Sequence, residues 1–194
     1  MRTVYVDVDT QIDFLFPAGA LYVPGAERIV AAIERLNRFA ASRGDVVIAT
    51  TDAHSENDPE FQTWPAHCVV GTTGQGKAQR TLLDKRIIVP NSPVDIQIGG
   101  AQQIVLQKQA LDAFSNVNMG QLLGRLNADR YLVYGVVTEY CVKCAALGLL
   151  QTGKPVSVVT DAVETLNAAD SQAFFDEFEK AGGLLTTVSE VCAQ

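Results

Sequence analysis

Short runs rich in Val, Ile and Leu alternate along this chain with stretches of helical spacing, and that alternation restricts the fold more than any other feature. "TVYVDV" (Thr3 to Val8) is a β-branched run. After a loop containing Gly and Pro comes "GAERIVAAIERLNRFAASRG", where Ile29, Ile33, Leu36 and Phe39 recur at helical spacing and Gly44 stops the helix. The pattern continues with "DVVIATT" (strand), "QQIVLQK" (strand), "MGQLLGRLNA" (helix), "RYLVYGVV" (strand), "EYCVKCAALGLLQTG" (helix), "PVSVVTDAV" (strand), "AADSQAFFDEFEKAGG" (helix) and "LLTTVSEV" (strand). Strands that are apolar on both faces, interleaved with helices, form a parallel sheet covered on both sides. The expected architecture is a Rossmann-like three-layer α/β/α fold with a mainly parallel six-stranded sheet. The segment 71–100 is harder to assign, and "KRIIVPNSP" within it reads as an edge hairpin.

The 194 residues suffice for one core, so residues 1–194 are read as a single domain. Hydrophobic residues make up 47%, which leaves no tract polar enough to stay unfolded. With 15 Lys plus Arg against 22 Asp plus Glu, and no basic stripe, nucleic acid is an unsuitable partner. Asp7 and Asp9 interrupt the N-terminus before a signal-type apolar region forms, and no run approaches the roughly 18 apolar residues of a membrane span. A cytoplasmic protein without membrane contact is expected, and the apolar composition is compatible with a homodimer or larger assembly. Cys68, Cys141, Cys144 and Cys192 are read as free thiols, because a core of this size needs no disulfide scaffold.

In parallel sheets ligands bind beyond the carboxyl ends of the strands. Asp9 ends the first apolar run, Asp52 and His54 the second, Lys108 the third, and Cys141 follows the fourth, so all lie along one edge. If Thr138 caps the helix after "YGVV", Cys141 falls in its first turn, where the helix dipole lowers a thiol pKa and favours a nucleophilic thiolate. The alternative is a buried helical cysteine. Asp9 is the carboxylate best placed to take the thiol proton, and Lys108 would keep it ionised and support developing negative charge. Each of these, taken singly, also fits a solvated strand tip. A redox pair of Cys141 and Cys144 lacks a thioredoxin-like context.

Both histidines of the chain, His54 and His67, fall within "TTDAHSENDPEFQTWPAHCV" together with Asp52 and Glu60. Two imidazoles and two carboxylates form a mixed N/O set suited to a divalent metal, Zn²⁺, Fe²⁺ or Mn²⁺; histidines of an ordinary surface loop are the other reading. Phe14 and Trp64 flank these groups and either sandwich a flat ring or cap the core.

Taken together, "DTQIDF", "DAH", "WPAHCVVGT", the strand-end lysine of "LQKQALDAFSN" and "GVVTEYCV" resemble the nicotinamidase branch of the isochorismatase-like cysteine hydrolases, from about Val4 to Val188. The resemblance implies the isochorismatase-like hydrolase fold and a catalytic triad of Asp9, Lys108 and Cys141. It further implies a divalent metal, zinc first, on Asp52, His54 and His67, with Glu60 where some members carry a fourth ligand. A cis Val136-Val137 peptide and an oxyanion hole from the N–H groups of Val137 and Cys141 follow in the same way. The implied reaction is hydrolysis of nicotinamide to nicotinate and ammonia through a cysteine thioester, the metal orienting the pyridine ring between Phe14 and Trp64. Ala66, where a second proline is common, and Tyr140, where smaller or imidazole side chains occur, depart from the pattern and bear on substrate fit. Other readings are hydrolysis of another amide, carbamoyl or ureido compound, cleavage of the isochorismate vinyl ether, or a catalytically silent domain of the same fold.

Overall fold

A computed structural model describes residues 1–193. Seven strands form one sheet: β1 (Thr3–Val8), β2 (Val46–Asp52), β3 (Arg86–Val89), β4 (Gln103–Lys108), β5 (Arg130–Gly135), β6 (Val156–Val163) and β7 (Leu184–Thr186). Their order is β3-β4-β2-β1-β5-β6-β7, and every neighbouring pair is parallel. Six helices accompany them: α1 (Ile12–Leu15), α2 (Val30–Ser42), α3 (Met119–Leu126), α4 (Lys143–Leu150), α5 (Ala168–Lys180) and α6 (Val188–Cys192). Among the described residues no helix is long and apolar enough to cross a membrane.

Side chains of a strand point alternately to its two faces, and both faces here are apolar. Val4, Val6 and Val8 of β1 join one core with Leu122, Ala145, Leu149, Phe174 and Phe178, which belong to α3, α4 and α5. Tyr5 points the other way, into a core with Ile33, Leu36 and Ala40 of α2 and Val188 and Val191 of α6. The result is the expected three layers.

Three details differ from the sequence reading. The sheet has seven strands instead of six, because the segment taken as an edge hairpin contributes one parallel edge strand, β3, paired to β4 alone. "LLTTVSEV" is a strand only to Thr186. Thr187 there accepts from Glu190 N while the Glu190 carboxylate accepts from Thr187 N, a capping box that starts α6. Strand β5 stops at Gly135, two residues short of the run "RYLVYGVV".

Gly135 explains that stop. Its φ of 120° lies in the region that side chains disfavour, and a Cβ there would sit 2.1 Å from the carbonyl oxygen of Val8. The chain needs glycine to pass so close to β1. Gly135→Ala is expected to cost about 2–4 kcal/mol in urea denaturation, because neither backbone has room to retreat; a loss below ~0.5 kcal/mol would show that the close approach is not required.

Candidate active site and metal centre

The strand order reverses around β1, whose neighbours are β2 and β5, and the carboxyl ends of these strands with that of β4 carry the candidate residues. Asp9 directly follows β1 with φ 49°, a left-handed conformation that aspartate tolerates better than most residues. Its backbone N–H reaches Thr50 O and Oγ1, both at 3.2 Å, and Thr50 Oγ1 donates to Asp9 Oδ1 at 2.7 Å. Lys108, the last residue of β4, is fully buried, with Nζ 2.9 Å from Asp9 Oδ2, 2.5 Å from Asp52 Oδ1 and 3.8 Å from Cys141 Sγ. The predicted nucleophile, base and cation therefore meet in one buried cluster, with Asp52 as an additional member.

The electrostatics follow from burial. Burial pushes the Cys141 thiol well above its ordinary value, and although the Lys108 ammonium pulls the other way, it does not prevail. This overturns the expectation of a thiol acidified by a helix N-terminus. Cys141 lies in a π-helical turn, Thr138–Val142, that precedes α4; Val137, not Thr138, occupies the cap position. Asp9 also titrates above its ordinary value, because desolvation outweighs the attraction of Lys108. At Asp52 the balance reverses: burial raises its carboxyl, but the Lys108 charge and contacts from both imidazoles hold it far below the usual carboxylate range. Lys108, desolvated yet paired with two carboxylates, stays protonated. Cys141 thus sits beside an ammonium and a carboxylate of raised basicity, Asp9, suited to accept a proton.

Asp52 points its other oxygen, Oδ2, toward His54 Nε2 at 3.8 Å and His67 Nε2 at 3.7 Å. Potential ligand atoms of Asp52, His54 and His67 all lie within 4.8 Å of one another, and all three residues are buried. His54 is fully buried, and its Nε2 has no hydrogen-bond partner. Leaving such a group unpaired is costly, and an N₂O donor set facing one point fits a divalent cation. Second contacts aim both rings: Asp58 Oδ2 approaches His54 Nδ1 at 3.1 Å and Pro65 O lies 2.7 Å from His67 Nδ1, leaving each Nε2 directed at the cluster. Glu60, in the short turn Pro59–Gln62, brings Oε1 to 3.9 Å from His67 Nε2.

A cleft with about 420 Å³ of space, open mouth included, is lined by members of both groups: Asp9 and Cys141, and Asp52, Glu60 and His67. Phe14 and Trp64 both line it; Phe14 packs at 5.3 Å against the His67 ring, and Trp64 meets Tyr140 edge-on at 5.4 Å. Leu21, Val23, Leu111 and Leu166 complete apolar walls, and among the described residues no arginine lines the cleft. Val137 borders it beside Cys141, and the Val136-Val137 peptide is cis, as the resemblance implies.

Sequence reasoning gave no role to several residues that hold this arrangement. The Gln11 side chain accepts from Asp52 N at 2.7 Å and donates to Asp52 O at 2.9 Å, locking β2 to the loop after β1. Asp13 Oδ2 accepts from Cys68 N at 2.7 Å and so fixes the residue after His67. Both belong to "DTQIDF", so the signal was present in a motif whose other members drew the attention. Asp7 and Lys77, a buried pair 3.1 Å apart, could not be matched from sequence, because Lys77 lies in the unassigned segment.

The sequence profile described as the Isochorismatase domain matches residues 90–190. A nicotinamidase of Escherichia coli (strain K12) is 31% identical, the alignment covering 94% of this chain and 93% of the relative. A nicotinamidase/pyrazinamidase of Mycobacterium tuberculosis is 28% identical over 93% of this chain and 96% of the relative. The crystal structure of a pyrazinamidase of Pyrococcus horikoshii in complex with zinc superposes with a TM-score of 0.81 at 27% identity, covering 96% of this chain and 99% of that one. On this fold, site and likeness, the chain belongs to the isochorismatase-like hydrolases, in their nicotinamidase branch, as an amide-hydrolysing enzyme.

Proposed function

We propose that residues 1–194 act as a single catalytic domain that hydrolyses nicotinamide to nicotinate and ammonia. The observation that carries this reading is the cleft itself. It is lined by the nucleophile and its base, by Asp52 and His67 of the Asp-His-His cluster, and by aromatic and aliphatic side chains, with no arginine among the described lining residues to neutralise an acidic substrate. An uncharged flat ring bearing a carboxamide suits that lining. A carboxylate-bearing carbamoyl or ureido compound would face Asp9, Asp52 and Glu60 without an unpaired cation, since Lys108 already serves two carboxylates.

In the proposed cycle Cys141 Sγ attacks the carboxamide carbon as Asp9 takes the thiol proton, so the thiolate exists only as the new bond forms. The N–H groups of Val137 and Cys141 receive the developing oxyanion, and the nearby Lys108 charge stabilises it further. Asp9 passes its proton to the departing ammonia, which leaves a thioester on Cys141. Water, deprotonated by Asp9, then attacks the thioester carbon, and as the C–S bond breaks and nicotinate leaves, Cys141 Sγ takes the proton back from Asp9. Phe14 and Trp64 hold the ring faces. Asp52, His54 and His67, with Glu60 as a candidate fourth ligand, would hold a divalent metal, zinc being the first choice, which when bound supplies a Lewis-acid anchor for the ring nitrogen.

Ammonia release from nicotinamide by purified protein tests the reading, and no release by folded, metal-loaded protein would overturn it. His54→Ala is expected to abolish stoichiometric metal retention by elemental analysis and to raise KM for nicotinamide by about 10-fold or more. Unchanged metal content together with unchanged KM would remove His54 from the metal site.

A further inference from the structure

Leu166 is a wall of the cleft, yet it sits in the loop between β6 and α5 and is 44% exposed. Core packing alone does not hold a side chain at such a position. What holds the loop is the turn that carries Cys141. Glu139 Oε1 accepts from Leu166 N at 2.9 Å and from Asn167 N at 2.8 Å, while its Oε2 accepts from Thr165 Oγ1 at 2.6 Å. Thr138 adds its N–H and hydroxyl, which donate to Glu164 O at 2.9 and 2.8 Å.

We propose that Glu139 is a specificity-determining positioning residue: by clamping the 164–167 backbone to the nucleophile turn, it fixes the distance between the Leu166 wall and Cys141 and so sets which ring the cleft accepts. Glu139 lies two residues before the nucleophile, and each of its carboxylate oxygens is used on this loop, so wall and nucleophile move as one body. Hydrogen bonds to a carboxylate are among the stronger ones, and two of these three come from consecutive backbone N–H groups, which belong to the loop itself. The proposal rests on nicotinamide being the substrate.

Steady-state kinetics on nicotinamide and on ring-methylated nicotinamides test it, using Glu139→Ala, Glu139→Gln, Leu166→Ala and the Glu139→Ala/Leu166→Ala pair. Glu139→Ala should raise KM about 5–10-fold with kcat within about twofold, and should relax discrimination against the methylated rings. Glu139→Gln should recover most of the lost affinity, because its amide oxygen still accepts both backbone N–H groups. Leu166→Ala should reproduce the KM rise, and the double variant should add little, as expected for residues acting through one contact. Additive KM effects, or a fall in kcat with KM unchanged, would overturn the clamp. Should Glu139→Ala not fold, Thr165→Val removes one anchor, and there a raised KM supports the clamp whereas an unchanged KM overturns it. Wild-type protein inert toward nicotinamide would instead defeat the functional reading, and the clamp with it.

Discussion

Cys141→Ala is expected to lose amide hydrolysis by about 10⁴-fold or more while keeping its fold and metal content. The size of the loss follows from the absence of a substitute. Cys68 is buried with its thiol driven far up by desolvation, and it is not among the residues lining the cleft. Cys144 and Cys192 do not line it either. Fold retention follows from volume: Cys141 occupies a small site on a turn whose neighbour Val142 is fully buried, and alanine removes one sulfur without leaving a charged or polar orphan. Ammonia release and near-ultraviolet circular dichroism of the same preparation check both halves. A variant retaining more than about a hundredth of the activity would mean that another group performs the attack.

Lys108→Met is expected to be equally inactive, and it should also be unstable. The ammonium is fully buried between Asp9 and Asp52, so its removal leaves two carboxylates facing each other without a counter-charge, at a cost of about 3–5 kcal/mol. One of them must then take up a proton. Asp9 is already the more basic of the two in the intact protein, whereas Asp52 is held far below its usual range. A protonated Asp9 is no base for the thiol. The sign of the pH dependence follows: a carboxyl whose folded pKa is raised favours folding at acid pH and loses that contribution as pH rises through its folded value. The deficit of Lys108→Met relative to wild type should be smallest near pH 5 and grow toward pH 8, read by urea denaturation. Adding Asp9→Asn should restore stability at pH 8 without restoring activity. A deficit independent of pH, or one that Asp9→Asn does not relieve, would show that Lys108 acts mainly by filling space.

Burial explains why the meeting of Asp9, Lys108 and Cys141 was easier to read than its electrostatics. Asp9, Lys108 and Cys141 each follow or end an apolar run, and a parallel sheet sends all such positions to one edge, so their convergence could be read from spacing alone. The acidity of the thiol could not, because it depends on how much water the finished cluster excludes. At Cys141 desolvation, with Asp9 and Asp52 beside it, raises the thiol against the pull of the Lys108 ammonium. The histidines show the same division. Their company with Asp52 suggested a donor set, but their complete enclosure, and the rings aimed by Asp58 and Pro65, arise only when the loop folds over the ends of β2 and β4.

The seventh strand was read only as part of an edge hairpin for a related reason. Edge strand β3 is four residues long with Ile88 exposed, and its parallel pairing with β4 alone is a long-range choice that its short "IIV" run does not record. Gln11, Asp13 and Glu139 likewise act on backbone groups far along the chain, at Asp52, Cys68 and Leu166, and no local pattern records such a partner. By itself, the sequence determined the parallel three-layer sheet and the edge where the chemistry gathers, because apolar periodicity and strand direction are local properties summed along the chain. Only the tertiary structure decided how far burial raises the Cys141 thiol, the sharing of Asp52 between lysine and imidazoles, and the Glu139 bonds to the loop of Leu166. Desolvation and long-range hydrogen bonds exist only once distant segments have met.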